Sequence, residues 1–160
     1  MDALLQLLKQ NARLTNQQLA TMLNISEDAV AKKIKDYEKT GVIMGYSAIL
    51  NEELADKDLV TAFIEIRVTP KRDCGFDDLA KTIMMYDEVE SVSLMSGAYD
   101  LSVVVVGNNL KTIALFVAQK LSTIDGVIST ATHFVLKRYK EKGIFIEHEN
   151  TDERGFVSPW

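Results

Sequence analysis

Leu14 to Gly41 reads LTNQQLATMLNISEDAVAKKIKDYEKTG, and this stretch decides the fold. It holds two helix starts separated by a tight turn. Thr15 is placed to cap the first helix, and Gln18 three residues on completes a capping-box pattern. Ser26 is placed to cap the second, followed by Glu27 and Asp28 in the first turn, where carboxylates suit the helix dipole. Asn24, between the two, tolerates the left-handed backbone of a sharp turn. Ala20, Leu23, Ile25 and Val30 supply small and aliphatic contacts for two helices crossing steeply, and Gly41 closes the second helix. This is the pattern of a helix-turn-helix, whose second helix lies in a DNA major groove. Any αα-hairpin can carry the same signals, so the flanking chain has to decide.

Upstream, Ala3 to Gln10 is a Leu-rich helix broken by Asn11-Ala12-Arg13; it begins almost at Met1 without a visible cap, as if the chain started inside a helix. Downstream, VIMGYSAILN has two short apolar runs around Met44-Gly45 and reads as a small hairpin or wing. Residues 1–50 are thus expected to form a winged helix-turn-helix domain. The polar stretch NEELADKD, residues 51–58, is the expected linker, with the boundary near residue 57.

From Leu59 the periodicity changes. LVTAFIEIRV alternates Ala62, Ile64, Ile66 and Val68 against Phe63, Glu65 and Arg67, a strand ended by Pro70. Phe76 to Tyr86 is helical, with Phe76, Leu79, Ile83 and Tyr86 on one face. Val89 to Met95 and Tyr99 to Val106 read as strands either side of Ser96-Gly97-Ala98, Leu110 to Leu121 as a helix, and Val127 to Tyr139 as a fourth strand. The order β-α-β-β-α-β is the ferredoxin-like arrangement, assigned to residues 59–142. The fold class is therefore α+β. Gly143 to Glu147 adds a short fifth strand, and residues 148–160 form a tail, ordered if Phe156 or Trp160 finds a pocket.

Composition limits the function. A hydrophobic fraction of 47% suffices for a core, and no run of about 18 apolar residues offers a membrane span. The single cysteine, Cys74, excludes an internal disulfide framework and fits a reducing cytoplasm, as does the lack of a secretory signal pattern. The net charge of −5 argues against a protein that coats nucleic acid nonspecifically. The charge is uneven: residues 1–45 hold six basic and five acidic side chains, the remainder twelve and eighteen. His133 and His148 lie far apart beside one cysteine, so neither metal spacing nor a Cys/His nucleophile is supported, and no Walker or dinucleotide loop is present. An enzyme is the poorest reading, and no cofactor is expected.

NARLTNQQLA, LNIS, KTGVIMGYSAILN and SGAYD, in this order and spacing, make the chain resemble the Lrp/AsnC family of feast-or-famine transcriptional regulators over roughly residues 3–140. The resemblance implies a winged helix-turn-helix followed by a ferredoxin-like domain that dimerises and binds an amino acid. It implies a recognition helix from Ser26 to Thr40, with Lys32, Lys33 and Lys35 at basic positions, and Arg13, Thr15 and Gln17 near the DNA backbone. It implies an effector loop of Ser96, Gly97, Ala98, Tyr99 and Asp100, which with Thr130, Thr132 and His133 of the last strand forms a pocket between neighbouring dimers. Family members often carry arginines in the recognition helix; lysine offers point-charge phosphate contacts in place of bidentate guanine readout. Many relatives have an acidic residue where Ala98 stands, which points here to a small neutral effector.

Each residue also has a plainer reading. Lys32, Lys33 and Lys35 suit phosphate contact or a solvated helix face. Glu27 and Asp28 suit acceptance from cytosine amino groups, or simply a helix start. Gly97 suits close backbone approach to a ligand or a turn; Asp100 an ammonium partner or a turn cap; Thr130 and Thr132 a pocket or strand propensity. The expected partners are double-stranded DNA, a small amino acid and further copies of the chain, as a homodimer, tetramer or octamer. The competing expectation is an architectural protein that wraps DNA without an effector.

Overall fold

Asp2 opens the chain's first helix: its carboxylate accepts the Leu4 N–H at 2.8 Å. The computed structural model describes residues 1–69 and 75–146. Helix α1 (Ala3–Gln10) is therefore capped, against the sequence expectation, because Asp is among the best capping residues even one position from a terminus. Helices α2 (Asn16–Leu23) and α3 (Glu27–Lys39) follow. Leu4, Leu8, Leu19, Ala20 and Val30 form a buried core, with Leu7, Leu14, Leu23, Ile34, Tyr37 and Ile43 packed against it. No strand forms in 42–50, so the expected hairpin is absent. An isolated two-stranded hairpin is marginal in water, and this stretch is held instead by the Tyr46 hydroxyl, which donates to the Glu38 carboxylate at 3.0 Å.

The chain divides into two compact units, the first spanning Met1–Ala48 and the second beginning at Ile49. The division falls earlier than the polar stretch suggests. Residues 51–58 are not a free linker: they carry helix α4 (Glu52–Ala55), and Glu52 accepts from Thr61 and pairs with Arg138 within the second unit.

Strand β1 (Val60–Val68) is central in that unit, followed by α5 (Phe76–Ile83), β2 (Val89–Leu94), β3 (Leu101–Gly107), α6 (Leu110–Phe116) and β4 (Val127–Phe134). The sheet order β2-β3-β1-β4 is antiparallel throughout. The inward residues Ala62, Ile64, Ile66, Val68, Val103 and Val105 pack against Leu79, Ile83, Ile113, Phe116, Val117 and Leu121. Helices cover this one face. On the other, the register sets Phe63 opposite Val104 and His133, and Glu65 opposite Ser102 and Ala131.

Three further boundaries differ from the sequence reading. The second helix stops being α-helical at Phe116 and finishes as a π-helical turn, Val117–Leu121, with Ser122 N–H bonded to the Val117 carbonyl at 2.8 Å. Strand β4 ends at Phe134 rather than Tyr139, because β1 offers its last bond, Thr61 carbonyl to Val135 N–H, at 2.9 Å. The extra strands β5 (Lys140–Glu141) and β6 (Ile144–Phe145) pair with each other and, among the described residues, with no other strand, across Lys142 (φ 46°) and Gly143 (φ 92°). Two consecutive positive φ values are what a tight hairpin of this twist needs, and glycine supplies one without strain. Pro70, Cys74, His148 and the tail with Phe156 and Trp160 lie outside the described residues. Among the described residues no helix is long and apolar enough to cross a membrane.

Candidate nucleic-acid interface and ligand loop

The geometry of α2 and α3 follows from their ends. Thr15 Oγ1 accepts the Gln18 N–H at 3.2 Å, while Gln18 Oε1 accepts the Thr15 N–H at 2.9 Å, so both halves of the capping box exist. Asn24 adopts φ 53°, and the Ile25 N–H returns to the Ala20 carbonyl at 3.1 Å. Ser26 Oγ accepts the Ala29 N–H at 3.2 Å and starts α3. At the far end Gly41 takes φ 73°, its N–H bonds to the Glu38 carbonyl (3.2 Å), and the Val42 N–H bonds to that of Tyr37 (2.9 Å). Both ends of the motif are therefore satisfied by the left-handed closure the sequence suggests.

Val30, Ile34 and Tyr37 turn α3 inward. Asp28, Lys32, Lys35 and Lys39, at three- and four-residue spacings, share the exposed stripe opposite. Lys39 was not among the residues singled out from sequence, although its place four residues after Lys35 was the available signal. Lys33 is different: its ammonium lies 3.3 Å from the Asp2 carboxylate and ties α3 to the start of α1. The Asp2 carboxyl is held below its usual value first by the Leu4 N–H and then, against opposing desolvation, by Lys33. Arg13, Gln17, Glu27 and Asp28 are exposed, and Thr15, although also exposed, has its hydroxyl committed to the cap.

In the second unit Ser96, Gly97 and Ala98 are exposed at a bend between β2 and β3. Gly97 has open space where a side chain would stand, so no contact with the described residues requires glycine there. Asp100 is anchored: its carboxylate accepts the Val68 N–H (2.9 Å), its N–H donates to the Ile66 carbonyl (3.0 Å), and its carbonyl accepts from Met95 (2.8 Å). Tyr99 lies edge-on to Phe63 with ring centroids 6.1 Å apart, and Phe63 is equally near His133. His133 Nε2 stands 3.6 Å from the Glu65 carboxylate.

Thr130 and Thr132 do not join that group. They pair with Ile66 and Ile64 on the helix-covered side, whereas His133 pairs with Phe63 on the open side. A strand alternates faces at every residue, so Thr132 and His133 cannot share one pocket within a subunit. The Thr130 hydroxyl meets that of Ser122 at 3.3 Å. Strand β1 also stands between Asp100 and Thr130.

Comparison with known proteins follows this division. Residues 3–44 match the family model for winged helix-turn-helix DNA-binding domains, and residues 61–145 that for the Lrp/AsnC ligand-binding domain. The chain is 46% identical over 157 residues to an uncharacterised HTH-type transcriptional regulator, YugG, of Bacillus subtilis, covering 98% of this chain and 95% of that one. It is 27% identical to a leucine-responsive regulatory protein of Haemophilus influenzae, over 87% of this chain and 83% of that one. A Neisseria meningitidis regulator solved as its L-Met complex superposes with a TM-score of 0.72 at 27% identity, over 88% of this chain and 93% of that one. A Mycobacterium tuberculosis feast or famine regulatory protein complexed with L-methionine gives 0.73 at 26%, over 90% and 95%.

Proposed function

The chain belongs to the Lrp/AsnC family of DNA-binding transcriptional regulators, and from that premise we propose that a small neutral amino acid controls its grip on specific DNA sites. It is a regulator and not an enzyme. The observation that carries the proposal is the joining of two parts in one chain. One is a helix-turn-helix with lysines on its outer stripe; the other is a ferredoxin-like unit similar to two proteins solved with L-methionine.

In this reading α3 enters the major groove, Lys32, Lys35 and Lys39 neutralise phosphates, and Arg13, Gln17 and the first turn of α3 lie along the duplex. The loop Ser96–Asp100 receives the effector. One chain leaves that loop open, and the split between Thr130, Thr132 and His133 prevents a single subunit from closing a pocket with all three. A neighbouring copy completes it. The protein acts in the cytoplasm as a homodimer through the uncovered sheet face, and as tetramers or octamers through further contacts. Ligand bound between copies favours one assembly over another and thereby changes how several α3 helices match successive sites on DNA.

A thermal-unfolding panel of the amino acids tests the effector. A ligand at a hundred times its Kd stabilises by about 2.7 kcal/mol, an upward shift of several degrees. No concentration-dependent shift with any amino acid would sink the effector reading. Competition between a selected site and random DNA at fixed salt tests the output, and equal affinities would identify an architectural protein instead.

A further inference from the structure

The second unit holds a cleft that neither the recognition helix nor the Ser96–Asp100 loop uses. It lies between the segment around Asn51–Leu59 and the residues just after β4, and its volume is about 100 Å³. A cavity of about 150 Å³ holds benzene, so this one takes about four non-hydrogen atoms inside, and its open mouth leaves room for one or two more. Its lining has two characters: Leu59, Val135 and Ile146 are aliphatic, while Asn51, Glu52 and Arg138 are polar.

The polar side is incompletely satisfied. Asn51 Nδ2 donates to the Ile146 carbonyl at 3.4 Å, which sets the amide's orientation, and Asn51 Oδ1 is buried without a hydrogen-bond partner among the described residues. Buried acceptors of this kind are rare because losing water without gaining a donor is costly. Beside it, Arg138 Nη1 stands 3.4 Å from the Glu52 carboxylate and 3.6 Å from that of Glu141. Well-formed guanidinium–carboxylate bonds are nearer 2.7–2.9 Å, so these charges are loosely paired and able to engage a ligand.

We propose that this cleft is a second small-molecule site, for a zwitterion the size of glycine or alanine. The ligand's ammonium donates to Asn51 Oδ1 and the Glu52 carboxylate, its carboxylate accepts from Arg138, and its carbon skeleton lies against Leu59 and Val135. Asn51 and Glu52 follow the first unit closely in sequence, so an occupied cleft holds the segment that tethers the DNA-binding unit. The assignment does not depend on the effector loop.

Calorimetric titration of the full chain with glycine and with alanine tests it. Saturable binding is expected, weakened about tenfold or more by Asn51→Leu and by Arg138→Met. Asn51→Asp, which keeps the acceptor, should retain it, and Ser96→Ala and Tyr99→Phe, which alter the effector loop, should leave the alanine-induced shifts of the cleft's own methyl groups unchanged. In parallel, the methyl resonances of Leu59, Val135 and Ile146 should shift as alanine is added to the unaltered protein, a readout that stands if a variant fails to fold. Absence of saturable binding of both ligands would overturn the cleft and leave the loop open to other amino acids. Binding lost in the Ser96 and Tyr99 variants but kept in those of Asn51 and Arg138 would assign the ligand to the loop and refute the cleft.

Discussion

The lysines of α3 divide by what they touch. Lys32, Lys35 and Lys39 face solvent on one stripe, while Lys33 reaches Asp2. Replacing any of the first three by alanine should weaken binding to all DNA sequences alike and reduce the slope of log affinity against log salt by about one. Lys33→Ala should change that slope less and lower the thermal midpoint instead; fluorescence anisotropy across a salt series measures the first, unfolding the second. Asp2 adds a pH signature. Its carboxyl is depressed below the ordinary 3.8 in the folded protein. Its stabilisation is therefore complete above the unfolded value and lost as pH falls through the lower folded one. The advantage of the native chain over Asp2→Asn, read as a difference in thermal midpoint, should be full near neutrality and fade below about pH 4. At Asp100 two roles separate cleanly. Asp100→Ala strands the Val68 N–H and should cost about 1–3 kcal/mol. Asp100→Asn can keep an acceptor there, so a variant that folds normally yet ignores every amino acid would assign the charge to ligand binding.

At the scale of elements, positions where one residue has a distinctive conformational property were legible. Asn24 is one: its φ of 53° is the left-handed value expected of a turn. Asn24→Val should destabilise the protein by roughly 1–2 kcal/mol, while Asn24→Gly should stay close to the parent; chemical denaturation distinguishes them. The alternation Ala62, Ile64, Ile66, Val68 likewise marked the inner face of β1, and all four are buried. What sequence did not show were properties set by partners. Strand β4 ends where β1 runs out of groups to pair with, although Val135 and Leu136 continue an apolar run. The π-helical turn is invisible to periodicity because Val117 and Leu121 suit an α-helix equally well. There Lys120 meets Glu88 at 2.6 Å and lies 5.2 Å from the centres of the Tyr86 and Phe116 rings. Period two, the rule that marks the inner face of β1, also sets Thr130 and Thr132 on one face of β4 and His133 on the other, so a pocket using all three has to draw on more than one subunit.

At the scale of the molecule, the sheet face opposite the helices leaves apolar side chains only partly covered by the described residues. Phe63 and Val104 stand opposite each other there, only half-buried, between Glu65, Ser102 and His133. An antiparallel sheet can face water on one side, but aliphatic and aromatic side chains at its centre favour a second copy. Val104→Lys places a charge at that centre while leaving the inward core residues untouched. Sedimentation should then show the mass falling to that of a single chain, with the far-UV spectrum unchanged. The same variant tests how DNA affinity arises. The outer stripe of α3 carries lysines but also Asp28, and the chain's net charge is −5, so one recognition helix has little electrostatic grip of its own. Linking two modest binders makes the second contact intramolecular and raises avidity by about 10²–10⁴. The monomeric variant should therefore lose affinity for a two-site DNA by a factor in that range and show about half the salt slope, while its binding to a single half-site stays that of the parent. Equal affinity of parent and monomer for the two-site DNA would show that a single α3 helix suffices, and that assembly serves effector binding alone.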